Sequence, residues 1–171
     1  MLLIDRDPAN MTAISDLSLG FGMMSGVLNQ VYWDPATGRA WRLVYNFGAD
    51  SILAGDVVSQ ATPYVAGYVS NTAASILDYA DATYTRPRVK GIGVHTIATT
   101  KYGFVQVAGP CTNVTTDGNV VAGDRLTTTD GAKIATRENV VASGHFLVWG
   151  EADVADTGTV LTACELRILF Q

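Results

Sequence analysis

Apolar and polar positions alternate with a period of two in short runs broken by turn residues, which predicts strands along most of the chain. The clearest pair is 27–33 and 40–47. Between them lies Asp34-Pro35-Ala36-Thr37-Gly38-Arg39, with Pro and Gly where a turn accepts them. Pairing Trp33 with Ala40 puts Leu28 and Tyr32 on one face with Trp41, Leu43 and Tyr45, and Asn29 and Arg42 on the other. Further strands are expected at 56–61, 64–70, 89–96 and 102–107, the last two forming a hairpin through 97–101. They continue at 111–116, 119–121, 124–129, 132–136, 146–150 and 159–169. A three-residue loop ending on Gly131 would set Leu126 opposite Ile134. In 159–169, Val160, Cys164, Leu166 and Ile168 should face one way, and Glu165 and Arg167 the other. Only 71–84 could hold a turn or two of helix, capped at Asn71 or Thr72. Strands at this spacing predict an all-β fold, a small antiparallel β-barrel or sandwich.

Residues 1–26 lack either period and end in Gly20-Phe21-Gly22-Met23-Met24-Ser25-Gly26, so an extended N-terminal arm is expected ahead of a β domain at 27–171. That domain could divide into a smaller lobe, 27–84, and a barrel, 85–171. Leu3, Ile4, Ile14, Leu17, Leu19 and Phe21 are too many apolar residues for a solvated tail, and are the candidate contacts with a capsid or another subunit. Packing of the arm on its own domain is the other reading. One internal echo stands out: Ile52-Leu53-Ala54-Gly55-Asp56-Val57-Val58 and Val120-Val121-Ala122-Gly123-Asp124-Arg125-Leu126. It reads as a recurring turn in which Gly allows the reversal and Asp caps the turn amides, rather than as a duplication.

Composition narrows the function. Charged residues are 16% of the 171, against roughly 25% in an average soluble protein. Glutamate occurs only at 138, 151 and 165 and lysine only at 90, 101 and 133, so the usual surface residues of long helices are scarce. A net charge of −5 without a basic run argues against nucleic acid as a partner. Met1-Leu2-Leu3-Ile4 runs directly into Asp5, Arg6 and Asp7, so neither a leader nor a membrane span is expected, and the triplet Asn113-Val114-Thr115 carries no expectation of glycosylation.

Candidate chemistry is sparse. His95 and His145 are the only histidines, and neither has a neighbour at metal-ligand spacing. Nucleophile elbows and phosphate-binding loops are missing. Asp117, Asp124, Asp130, Asp153 and Asp156 lack the alternation of a calcium loop and read as turn formers. Cys111 and Cys164 read as small buried fillers rather than a disulfide. No catalytic residue, cofactor or metal is therefore expected. Tyr32, Trp33, Trp41 and Tyr45 could instead form a stacking platform for a small ligand or glycan, their other reading being core aromatics of the hairpin.

Several stretches taken together carry a likeness: Lys90-Gly91-Ile92-Gly93-Val94, Tyr102-Gly103-Phe104-Val105-Gln106-Val107-Ala108-Gly109, Val121-Ala122-Gly123-Asp124-Arg125-Leu126 and Val148-Trp149-Gly150-Glu151-Ala152. With the closing hydrophobic strand, this second half of the chain resembles the head decoration (cement) proteins of tailed bacteriophages. The resemblance implies glycine-bounded strands in a small barrel or sandwich, and an N-terminal portion engaging the capsid. It further implies a non-enzymatic virion protein assembled in the host cytoplasm and placed on the capsid exterior, with the major capsid protein as partner. Self-association is implied too, as a homotrimer or else a dimer.

Overall fold

The structure is a computed structural model and describes residues 28–61, 66–71, 89–128, 134–137 and 148–168. The expected arm, the expected helical segment 71–84 except for Asn71, and His145 lie outside them. The described part is all β, with a closed five-stranded barrel at its centre. Its strands are β1 (Val31–Asp34), β2 (Arg39–Asn46), β3 (Val57–Gln60), β4 (Tyr68–Ser70), β5 (Val89–Gly93) and β6 (Tyr102–Cys111). They are followed by β7 (Val114–Thr115), β8 (Arg125–Thr127), β9 (Thr136–Arg137), β10 (Gly150–Ala152), β11 (Val160–Leu161) and β12 (Cys164–Arg167).

The first hairpin forms in the expected register, with Trp33 opposite Ala40. Its turn is closed locally: the Asp34 carboxylate accepts from Ala36 N at 2.9 Å and from the Thr37 hydroxyl at 2.7 Å, which also holds its pKa below the usual carboxylate value. The expected half-buried alternation fails on β2. Trp41 and Leu43 join Phe104 in one apolar cluster, while Ala40 and Val44, on the opposite face, join the main core. Both faces are covered because β2 is a barrel stave: β2–β4–β3–β5–β6 closes on itself through β2–β6. The β2–β4 pair is parallel, the others in the ring antiparallel. β5 and β6, from the stretch 85–171, thus complete a ring begun by β2, β3 and β4, from the stretch 27–84.

Beyond the barrel the pattern recurs. On the edge of β6 away from β2, β5 pairs at Val105 and Gln106 and β12 continues at Ala108 to Cys111. From there the sheet runs β12–β10–β8–β9. Val58 opposite Gly91 and Gly93 opposite Val105 in the barrel match Leu126 opposite Gly150 and Ala152 opposite Cys164 in the second half. Ser59 opposite Ser70 matches Thr127 opposite Thr136, and the parallel pair Asn46 with Val69 matches the parallel bridge of Thr116 to Ala135. Tyr45 opposite Tyr102 matches Thr115 opposite Val160. The second half is thus a smaller ring of the same cyclic order, β7–β9–β8–β10–β12, returning to β7 through β11.

The echo in the sequence is the entry turn of each ring. Leu53 N–H donates to the Asp56 carboxylate at 2.9 Å, as Val121 N–H does to Asp124 at 2.9 Å. Gly55 (φ +92°) donates to Gly93 O and Gly123 (φ +86°) to Ala152 O, each at 2.8 Å. The reading as a turn alone is therefore corrected, because the equivalence extends through a whole ring of strand pairs. Val44, Ile92 and Val105 of the first ring share one buried cluster with Leu126, Trp149 and Leu166 of the second.

Four strand expectations change. Leu126 lies opposite Arg137, not Ile134, because Ala135 is held on its other edge: it donates to Thr115 O at 2.7 Å and accepts from Asp117 N at 3.1 Å. The expected strand at 146–150 begins at Gly150 and runs to Ala152. The long strand at 159–169 is interrupted at Thr162 and Ala163, which reverses its parity: Val160 is exposed while Cys164, Leu166 and Ile168 are buried. Residues 119–121 form no strand, since Asn119 N–H turns back to the Asp117 carboxylate at 3.1 Å.

Candidate interaction surface

The four residues of the expected platform do not assemble. Tyr32 and Trp41 are opposite each other in the β1–β2 register and share a face, whereas Trp33 is on the other face and is 57% exposed. Trp41 is only 4% exposed, packed with Leu43 and Phe104. Tyr32 meets the Phe104 ring edge-on at 5.7 Å, and its burial raises the phenol pKa. The core reading thus holds for Trp41 and in part for Tyr32.

Tyr45 stands in a different group. Its ring centroid is 4.9 Å from Tyr102 and 5.0 Å from Tyr68, and Tyr68 stacks on Phe47 at 5.4 Å with 29° between planes. Three strands build this row: β2 supplies Tyr45 and leads into Phe47, β6 sets Tyr102 directly opposite Tyr45, and the parallel strand β4 sets Tyr68 on the other side. All three tyrosines are half-buried, and Phe47 is 46% exposed. Partial burial raises the Tyr102 phenol pKa, with the nearby phenols of Tyr45 and Tyr68 adding to it. The group offers ring edges and hydroxyls, without a formal charge of its own. Sequence reading missed Phe47, Tyr68 and Tyr102, because only the β2–β4 and β2–β6 pairings bring them beside Tyr45.

His95 is buried: its Nε2 accepts from Phe104 N at 3.1 Å, so Nδ1 carries the proton and donates to Thr96 O at 3.1 Å. Burial lowers its pKa below the ordinary 6.5. The unfolded chain then binds the extra proton first, so this residue's contribution to stability is complete at neutral pH and falls as pH drops below about 6.5. Replacing His95 with Gln should flatten the fall in melting temperature between pH 7 and about 5 relative to the parent chain. Equal slopes in the two proteins would show that His95 is not held neutral.

Of the aspartates, Asp117 accepts from the Thr136 hydroxyl at 2.6 Å, and Asp156 from the Thr116 hydroxyl at 2.6 Å and Val120 N at 3.2 Å. Asp124 caps its turn, Asp153 is exposed, and Asp130 lies outside the described residues. Among the described residues, no three His, Cys, Asp or Glu side chains are grouped to hold a metal ion. The candidate contacts Leu3, Ile4, Ile14, Leu17, Leu19 and Phe21 lie outside the described part.

The sequence matches no protein-family model and no curated protein sequence. Among solved structures, the chain is similar to the N base of head fiber gp8.5 of bacteriophage phi29, with 15% identity, 76% of this chain and 95% of that chain covered, and a TM-score of 0.45.

Proposed function

We propose that this chain is a structural virion protein that decorates and stabilises a tailed-phage capsid, bound to its outer surface between major capsid protein subunits. It acts without catalysis, as a homotrimer, and is assembled in the host cytoplasm. The observation that carries this reading is an apolar pair on the first hairpin: Val31 and Trp33, neighbours on one face of β1, are 39% and 57% exposed. Two large apolar side chains exposed side by side on a strand mark a place where another protein excludes water. The low charge of the chain and the resemblance of its glycine-bounded strands to cement proteins support the same reading.

A second reading, a small-ligand or glycan-binding module, is favoured by the row Tyr102–Tyr45–Tyr68–Phe47, whose rings could stack on a sugar face. One experiment separates the two. Incubated with undecorated capsids and sedimented, the protein is expected to pellet in a saturable, stoichiometric way. Trp33→Ser should weaken this at least about tenfold with little change in melting temperature, since the side chain is half in water already. Deleting residues 1–20 should weaken it similarly. Protein that stays in the supernatant at every concentration, but is retained on immobilised polysaccharide until Tyr68 is changed to Ala, would replace the first reading with the second.

A further inference from the structure

The two cysteines, 53 positions apart in sequence, are direct partners across the antiparallel pair β6–β12, with Cys164 opposite Cys111. Opposed residues of such a pair point to the same side, and their Cα atoms stand about 4.5 or 5.5 Å apart according to the hydrogen-bonding site. Both spacings fall within the roughly 4.4–6.8 Å that a disulfide spans. Both thiols are free, at 4% and 0% exposure. From this geometry we propose that Cys111 and Cys164 are a latent disulfide, reduced when the chain folds and closed in an oxidising medium, where it clamps β12 of the second ring to β6, the long strand of the first.

The surroundings distinguish the two sulfurs. A hydrogen bond from the Cys164 thiol holds the Cys111 pKa below its usual value, while the same pairing and burial push Cys164 up. The Cys111 thiol in turn donates to Asn113 O at 3.7 Å. With a small disulfide such as oxidised glutathione as oxidant, one of the two cysteines, as its thiolate, attacks one sulfur and releases one glutathione thiol, leaving a mixed disulfide. The other cysteine then gives up its proton and attacks the protein sulfur of that mixed disulfide, releasing the second glutathione. Two protein thiols are oxidised and one glutathione disulfide is reduced to two thiols.

The clamp would sit where it constrains most. Pairing Ala108 to Cys111 with β12 is what joins the second ring to the long strand of the first, and the bond would close a loop of more than fifty residues. A cross-link closing a loop of that size stabilises chiefly by restricting the unfolded chain, enough to raise the melting temperature of a protein this long by roughly 5–15 °C. The inference does not depend on the capsid reading.

The test uses the full chain, purified with reductant and then equilibrated in glutathione redox buffer with enough urea to let β12 open without unfolding. The expected result is loss of both titratable thiols, a mass lower by the two hydrogens removed, a Cys111–Cys164 cross-linked peptide, and a melting temperature that rises and returns on reduction. Cys111→Ser and Cys164→Ser should each abolish the rise. Persistence of both thiols, a stable glutathione adduct, or a cross-link between chains would each overturn the inference.

Discussion

Replacing Trp149 with Ala is expected to be among the most damaging single changes, costing about 3–5 kcal/mol of unfolding free energy. The indole is fully buried in the cluster common to both rings, and its Nε1–H donates to the Thr128 hydroxyl at 2.9 Å in a site where Thr128 is itself 4% exposed. Truncation leaves a cavity and strips that hydroxyl of its partner. In a chain of this length the loss should lower the melting temperature by roughly 6–20 °C. Trp33→Ala is the control, expected within about 0.5 kcal/mol because Trp33 is 57% exposed. Urea unfolding of the two variants decides it. If both shift by less than about 1 kcal/mol, the two rings do not share a load-carrying core.

The second large effect is expected at Asn46. It is fully buried near the end of β2, its Nδ2 donating at 2.9 Å both to Asp50 O and to Ile97 O while its Oδ1 accepts from Gly48 N at 3.0 Å. Asn46→Leu keeps the volume but orphans three backbone groups, and should cost about 3 kcal/mol or more. Asn46→Asp keeps the acceptor for Gly48 but turns a carboxylate toward two carbonyl oxygens. That raises its folded-state pKa above the unfolded value near 3.9, so the variant should be weak at pH 7 and regain stability as pH falls through the raised pKa toward 4. Thr116 occupies the equivalent place in the second ring, where its hydroxyl donates to Asp156 and accepts from Gly118 N at 3.3 Å. A stability for Asn46→Asp that does not change with pH would contradict this assignment of the amide.

What could be read from sequence was local. The Asp34 to Arg39 turn carries its own side-chain caps, so it sets the register of Trp33 with Ala40 without help from the rest of the fold. The Ala-Gly-Asp turns are legible for the same reason: the aspartate closes on an amide three residues earlier. The all-β class followed from the period-two runs and the scarcity of helix-surface residues, and the structure has it. Tertiary closure decided the rest. Alternation on β2 could not reveal a stave covered on both sides, because the second cover comes from strands far along the chain. Leu126 pairs with Arg137 because Ala135 is anchored to Thr115 and Asp117, a contact the loop between them does not encode. The tyrosine row and the opposed cysteines arise in the same way: each lies on strands separated by many residues, and a side chain's neighbours across a sheet are set by register, which barrel closure determines and local sequence does not.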